Sequence, residues 1–258
     1  MLWQKAWLET RSRFLIGLVL IVISALGIIY NYRATQALMP IARAIDPATI
    51  DAKGPLAGAI REGLEVQRDF RGYVWFQWYR QNLTNLMVIF AALLGSGGLL
   101  SRSLGGTLFT LSLPVSRERL IHVRAGLGLA EVLALAMVPS LLLPLCGQAI
   151  GESYRLLDVL AHGACIFVVS AVFFSLATLL STEFADVWRP LLITCLVAVM
   201  LAMFEYVPAF RPFGIFRVMN GETYFRQTGL PWIGLLVNAG IAAALLRAAA
   251  VNLARRDF

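Results

Sequence analysis

Only two lysines, two histidines and three cysteines occur in the 258 residues. Neither Lys5 nor Lys53 follows a glycine, so the Gly-Lys-Ser/Thr phosphate loop that cradles a nucleotide is missing, and with it that route to ATP hydrolysis. His122 and His162 form no His-Glu-x-x-His pair, and there is no Gly-x-Ser-x-Gly elbow. Three cysteines exclude a disulfide scaffold; Cys146, Cys165 and Cys195 lack metal-ligand spacing and read as inert thiols in apolar stretches. Charge is scarce as well. Asp, Glu, Lys and Arg make up 14% of the chain, against about a quarter in an ordinary soluble domain. Low charge with 59% hydrophobic residues excludes disorder and leaves too little polar surface for a water-exposed globule.

What is present is a set of long apolar runs. Six stand out: Phe14–Tyr30, Leu83–Leu100, Ala125–Gly147, Val159–Leu180, Pro190–Val207 and Leu230–Leu246, with Glu131 and Glu205 the only charged residues inside them. Backbone amides in lipid must be paired within their own segment, and about 20 helical residues cross the hydrocarbon core. None of the runs alternates in the way a barrel strand requires. The expectation is one all-α polytopic membrane domain over residues 1–258 with six transmembrane helices. The first run exceeds a signal-peptide core and reads as a retained span.

An even span number puts both termini on one side. With the termini inside, the inner segments hold 11 of the 22 basic residues, in short stretches. The long segment 31–82 carries seven basic and five acidic residues, and long segments cross with little regard to charge. Cytoplasmic termini are therefore expected. The net charge of +7 then reflects topology; no basic stripe supports a nucleic-acid partner.

Between the runs, residues 1–13 read as an interfacial helix with Trp3 and Trp7 on one face. Segment 31–82 is expected outside, broken early by Pro40, Pro47, Gly54 and Pro55, helix-like over Ala57–Arg80, and ending in an aromatic belt of Tyr73, Trp75, Phe76, Trp78 and Tyr79 at headgroup level. Segment 208–229 holds Pro208, Pro212, Gly214, Gly221 and Gly229 among aromatics and reads as a broken external segment. In 101–124, Leu104–Ser112 has room for two helical turns, Pro114 forbids their continuation, and Ser116 suits the N-cap of a new helix with Glu118 in its first turn. A short cytoplasmic surface helix joined by an elbow to a membrane helix is one reading; an ordinary basic loop is the other.

Polar residues inside runs need partners. An ionised carboxylate at mid-membrane costs roughly 2.5–3.5 kcal/mol on insertion scales. Glu131 must therefore meet other helices, water or a base such as Arg124, as a structural pair or as part of a pathway. Asn238 reads as interhelical glue or, alternatively, a substrate contact. His162 reads as a satisfied histidine at interface level, and Glu205 as meeting headgroups or the arginines that follow it. Gly95-Ser-Gly-Gly98 reads as a site of close helix packing.

Gly106-Thr107 and Thr110-Leu-Ser-Leu-Pro-Val-Ser-Arg-Glu-Arg-Leu120, with Arg124 before a span and the closing Arg-Asp-Phe258, resemble permease subunits of ABC-type exporters of the second type. Members commonly carry a Glu shortly before the Gly-Thr, where Ser101-Arg102-Ser103 stands here. The resemblance implies a multi-pass subunit of a bacterial plasma (inner) membrane with no catalytic, cofactor or metal site of its own. ATP and Mg would belong to a separate nucleotide-binding ATPase subunit. A second permease copy or paralogue would complete the membrane part, and a periplasmic or external partner could engage 31–82. Gly106, Thr107, Leu108, Leu111, Pro114, Ser116 and Arg117 are the residues it assigns to coupling. The competing readings are an integral membrane enzyme or assembly factor acting on a lipid-linked substrate near Glu131, and a self-sufficient secondary transporter, for which repeats and paired midplane charges are lacking.

Overall fold

The computed structural model describes residues 2–44, 63–97, 117–184, 186–205, 207 and 214–255. Among these the chain is all-helical. Helix α1 is Leu2–Ala44, α2 is Phe70–Val74, α3 is Thr84–Gly95, α4 is Arg117–Ala149, α5 is Leu156–Ser181, α6 is Trp188–Phe204, α7 is Ile215–Met219, α8 is Glu222–Phe225 and α9 is Trp232–Arg255. A π-helix, Trp75–Leu83, joins α2 to α3 without a break. Among the described residues, four helices are long and apolar enough to cross a membrane: Leu2–Leu38, Arg119–Ala149, Leu156–Ser181 and Trp232–Arg255. Of the other two apolar runs, one forms the shorter helix Trp188–Phe204 and the other lies largely in α3, extended backwards by the π-helix and α2.

The interfacial helix expected over 1–13 and the first span are one rod of 43 residues, about 65 Å long. No breaker separates Arg13 from Phe14, so the helical hydrogen bonds run on, and they continue past Pro40 to Ala44. Helix-like character over Ala57–Arg80 is split in the described part: a turn at 63–66 ends, and Asp69 starts α2 by accepting the Gly72 N–H at 2.9 Å.

Helix α5 is the centre of the bundle. It packs against α3, α4, α6, α7 and α9, and two-thirds of its apolar window is buried, against 28% for α1 and 17% for α9. Small residues let it sit that close. A Cβ on Gly95 would lie 2.4 Å from the Phe174 carbonyl oxygen, and one on Gly128 would lie 2.3 Å from the Phe174 ring. Close packing at Gly95 is therefore a contact between the backbones of α3 and α5.

The aromatic belt expected at headgroup level is instead core. Trp75, Trp78 and Tyr79 are all fully buried. Their spacing puts the three on one helical face, and that face turns toward α4, α5 and α8 rather than toward lipid: Trp78 Nε1 donates to Ser140 Oγ at 3.2 Å, and Trp75 stacks on Phe225.

Candidate functional site

Two polar clusters occupy opposite ends of the bundle. The first lies at the end that holds both termini. Arg13 reaches from α1 to the last turn of α3, donating through Nη1 to the Ser96 and Leu93 carbonyls at 2.8 and 3.3 Å. Carbonyls in a last turn have no helical partner, and a guanidinium satisfies both their hydrogen bonding and the helix dipole. One turn earlier on α1, Glu9 pairs with Arg124 of α4 at 3.6 Å, and Thr10 donates its hydroxyl proton to Glu131 Oε1. The start of α4 also touches the end of α9, where Ile121 and Leu253 pack together with Leu120 and Ala250. Asn252 of α9 donates to Thr182 Oγ1 at 2.8 Å beyond the end of α5.

Glu131 thus meets α1. It is 3% exposed, and its first partner is a hydroxyl; Arg124 takes Glu9 as its ion-pair partner. Glu131 Oε2 has no hydrogen-bond partner among the described residues. Sequence spacing points to Arg124 because it is two turns away on the same helix. It says nothing of Thr10, which tertiary packing alone brings there.

Of the residues assigned to coupling, Gly106, Thr107, Leu108, Leu111, Pro114 and Ser116 lie outside the described residues, while Arg117 opens α4. Both flanks of the undescribed stretch 98–116 are nonetheless in view. The flank before it is held by Arg13, and the flank after it by Glu9 and Thr10. Within five residues of α1, both flanks of the stretch 98–116 are tied to one rod.

The second cluster lies at the opposite end, and most of it was not legible in the sequence. Helices α7 and α8 fold back against the bundle around Asn220-Gly221. The Asn220 carbonyl accepts the Trp75 Nε1 proton at 3.0 Å and faces His162 Nδ1 at 3.0 Å. A carbonyl only accepts, so Nδ1 is the donor in this contact. Gly221 has φ +65, and a Cβ there would stand 2.6 Å from His162 Nδ1, so the turn needs glycine twice over. His162 stacks on Tyr79 with centroids 4.6 Å apart and meets the Tyr224 ring edge-on at 5.4 Å. Asp158, one turn before His162, accepts from Tyr224 Oη and from Arg71 Nε, both at 2.9 Å. Arg71 in turn lies over the Phe225 ring.

His162 is fully buried, in the second turn of α5. Four buried polar atoms of this cluster have no hydrogen-bond partner among the described residues: Tyr79 Oη, Tyr154 Oη, His162 Nε2 and Asn220 Oδ1. Burial, then hydrogen bonding to Asp158, holds the Tyr224 phenol above its usual range, and burial pushes the Tyr154 phenol well up. Both stay protonated at neutral pH.

A carboxylate clamp fixes the fold-back itself. Glu222, the first residue of α8, accepts from Arg217 Nε at 2.7 Å, Arg217 Nη2 at 2.8 Å and Arg226 Nε at 2.9 Å. Burial pushes its carboxyl up, but the hydrogen bonds and charge of Arg217, then Arg226, outweigh burial and hold it below the usual range. A lowered carboxyl stabilises the fold above its unfolded-state value and loses that contribution as pH falls through the folded one. The segment 215–226 is expected to gain amide hydrogen exchange as pH drops below about 4, the ordinary carboxylate region. Glu222→Gln should give fast exchange already at neutral pH and remove the acid step. An acid step of equal size in the variant would show that other groups set it.

Two further polar residues of the apolar runs have defined partners. Asn238 is buried but donates to the Gly234 carbonyl of its own helix at 2.8 Å, so the bond it makes is intrahelical, not interhelical glue. Helix α9 is mostly uncovered, with 17% of its apolar window buried. Glu205 Oε1 accepts the Phe216 N–H at 2.7 Å at the start of α7, next to Arg217 in sequence. Cys146, Cys165 and Cys195 are free thiols, and the described residues hold no group of three metal-ligating side chains.

Comparisons with protein-family models, with curated proteins and with solved structures find no match.

Proposed function

We propose that this chain is the membrane-spanning permease subunit of an ATP-driven exporter, moved by a nucleotide-binding subunit that it does not itself contain. The observation that carries the reading is the pinning of both flanks of the motif-bearing stretch 98–116 to α1. Gly106-Thr107 through Pro114-Val-Ser-Arg117 runs directly into α4, and both flanks of it are pinned to Glu9–Arg13 of α1. A displacement of the surface segment is passed to α4 by continuity, to α1 through Arg13, Glu9 and Thr10, and to α9 through Ile121 and Leu253. Packed helices respond as rigid rods, so a push at one end becomes a tilt along the whole length. The sequence lacks a phosphate loop, which is what a subunit driven from outside would lack.

On this reading the α2–π–α3 rod and α6 complete six spans, the termini are cytoplasmic, and the second cluster closes the far side. A second copy or a paralogue supplies the other half of the passage. The deciding experiment is purification of the tagged chain from its native membrane. An ATPase subunit bearing a phosphate loop is expected to co-purify in stoichiometric amount. Full transport by the pure chain in vesicles without nucleotide would end the proposal.

A further inference from the structure

We propose that the groove between α1 and the π-helix binds an uncharged, hydroxyl-bearing amphiphile through side-chain amides at the middle of the bilayer. As a substrate class this rests on the permease reading; as a binding site it does not.

The groove is a cavity of about 520 Å³ lined by Leu20, Ser24, Gln81, Asn82, Asn85 and Leu86, within the roughly 300–1,000 Å³ typical of ligand sites. Leu20 and Ser24 flank the midpoint of the apolar run Phe14–Tyr30, and residues 81–86 stand near the middle of the antiparallel rod 70–95. Four polar side chains therefore line a surface at the depth where polarity is most costly. Gln81 and Asn85, one turn apart, are exposed. Amides facing acyl chains without partners lose hydrogen bonds they would have in water. Something with donors and acceptors has to meet them.

The backbone there is unusual in the same place. The π-helix runs for nine residues, Trp75–Leu83, far beyond a single-turn bulge; such helices are rare and concentrate at functional sites. Its inner face carries Trp75, Trp78, Tyr79 and Leu83, all fully buried. Its wider turn leaves Gln81 and Asn82 on the groove side, and Asn82 Nδ2 spans the turn to the Gln77 carbonyl at 2.6 Å. The core side chains hold the π turn in place, and the π turn holds the amides.

The lining selects the ligand. It contains no ionisable residue. The nearby Arg80 is stacked over Trp75 and Phe76, and Arg13 is tied to Ser96. The lining itself therefore offers a phosphate no counter-charge. Amides and a serine hydroxyl both donate and accept, which suits hydroxyls. Leu20 and Leu86 at the same groove suit the apolar chain attached to them. A second protein helix is the poorer fit: membrane helices meet closely through small residues, whereas leucines and long amides here frame a concavity of ligand size.

The test is native mass spectrometry of the full chain, using monoglucosyl diacylglycerol as the probe beside phosphatidylglycerol and diacylglycerol of the same acyl chains. One glucosyl lipid is expected to stay bound, and the other two lipids are expected to show only non-specific adducts. Gln81→Leu/Asn85→Leu should weaken the glucosyl lipid about tenfold or more, the order expected for two lost hydrogen bonds, while Asn31→Leu outside the groove leaves it unchanged. Both replaced side chains are exposed, so the core is untouched; if the double variant fails to fold, Ser24→Val is read in the same way. Undiminished binding in the variant, or equal retention of phosphatidylglycerol, overturns the proposal. So does efficient cross-linking of Asn85→Cys to its own copy in a background lacking Cys146, Cys165 and Cys195, which would make the occupant a second chain. Bound glucosyl lipid without an ATPase partner sinks the permease reading alone; an ATPase partner without bound lipid sinks the groove alone.

Discussion

On the permease reading, Arg117→Glu is expected to leave the chain in the membrane and bound to the proposed ATPase subunit, yet to lower transport-linked ATP hydrolysis at least tenfold. Arg117 is the first residue of α4, at the point where the elbow becomes the membrane rod. Reversing its charge puts an acid where the family resemblance places a contact with the motor. Coupling free energies between sites run to roughly 1–3 kcal/mol, or about 5- to 150-fold, so a tenfold loss lies well inside what one joint can carry. Pro114→Ala should act in the same direction through another cause. It lets the helix run through the elbow, so that a push is absorbed as bending. The measurement is substrate-stimulated ATPase activity per assembled complex in proteoliposomes. Unchanged stimulation in both variants, with normal assembly, would remove the elbow from the mechanism.

The second large effect concerns the far end. Trp75→Ala is expected to destabilise the folded chain by about 3–5 kcal/mol, the usual cost of deleting a buried tryptophan. Trp75 is fully buried, stacks on Phe225 with centroids 4.2 Å apart and planes 6° apart, and donates to the Asn220 carbonyl. Its removal opens a cavity and frees the fold-back of α7 and α8 together. At about 2–4 °C per kcal/mol for a chain near this size, the thermal midpoint in detergent should fall by roughly 10 °C. Trp75→Phe keeps a ring in the stack but loses the N–H and part of the indole volume; with the Asn220 carbonyl still facing His162, its cost should lie below that of Trp75→Ala. Equal midpoints for wild type and Trp75→Ala would mean that the fold-back is not held by this residue.

The polar residues of the spans show where reading a sequence stops. Glu131 is recognisably in need of a partner because an acid in an apolar run has no cheap alternative. Which partner it takes depends on the register of α1 against α4, and no local pattern encodes that register. Trp75, Trp78 and Tyr79 look like an interfacial belt because aromatics with a polar tip are common there. Their spacing of three and four residues is equally that of a core face, and only the position of α8 and α5 decides between the two. The π-helix has no sequence signal that was read at all. It follows from fitting two buried tryptophans and a tyrosine against α4, α5 and α8 at once.

The one-dimensional pattern of charge and hydropathy settled that this chain is built of apolar helices, because an unpaired backbone is too costly in lipid for any other arrangement of such runs. It also settled that no phosphate loop lies within the chain, since that site depends on residues adjacent in sequence. Tertiary structure alone decided which helix lies at the centre, that Arg13, Glu9 and Thr10 bind both flanks of the stretch 98–116 to one rod, and that the fold-back around Asn220-Gly221 gathers His162, Tyr79, Asp158 and Arg71. These are contacts between residues tens of positions apart, and they are fixed by how rigid rods fit against one another.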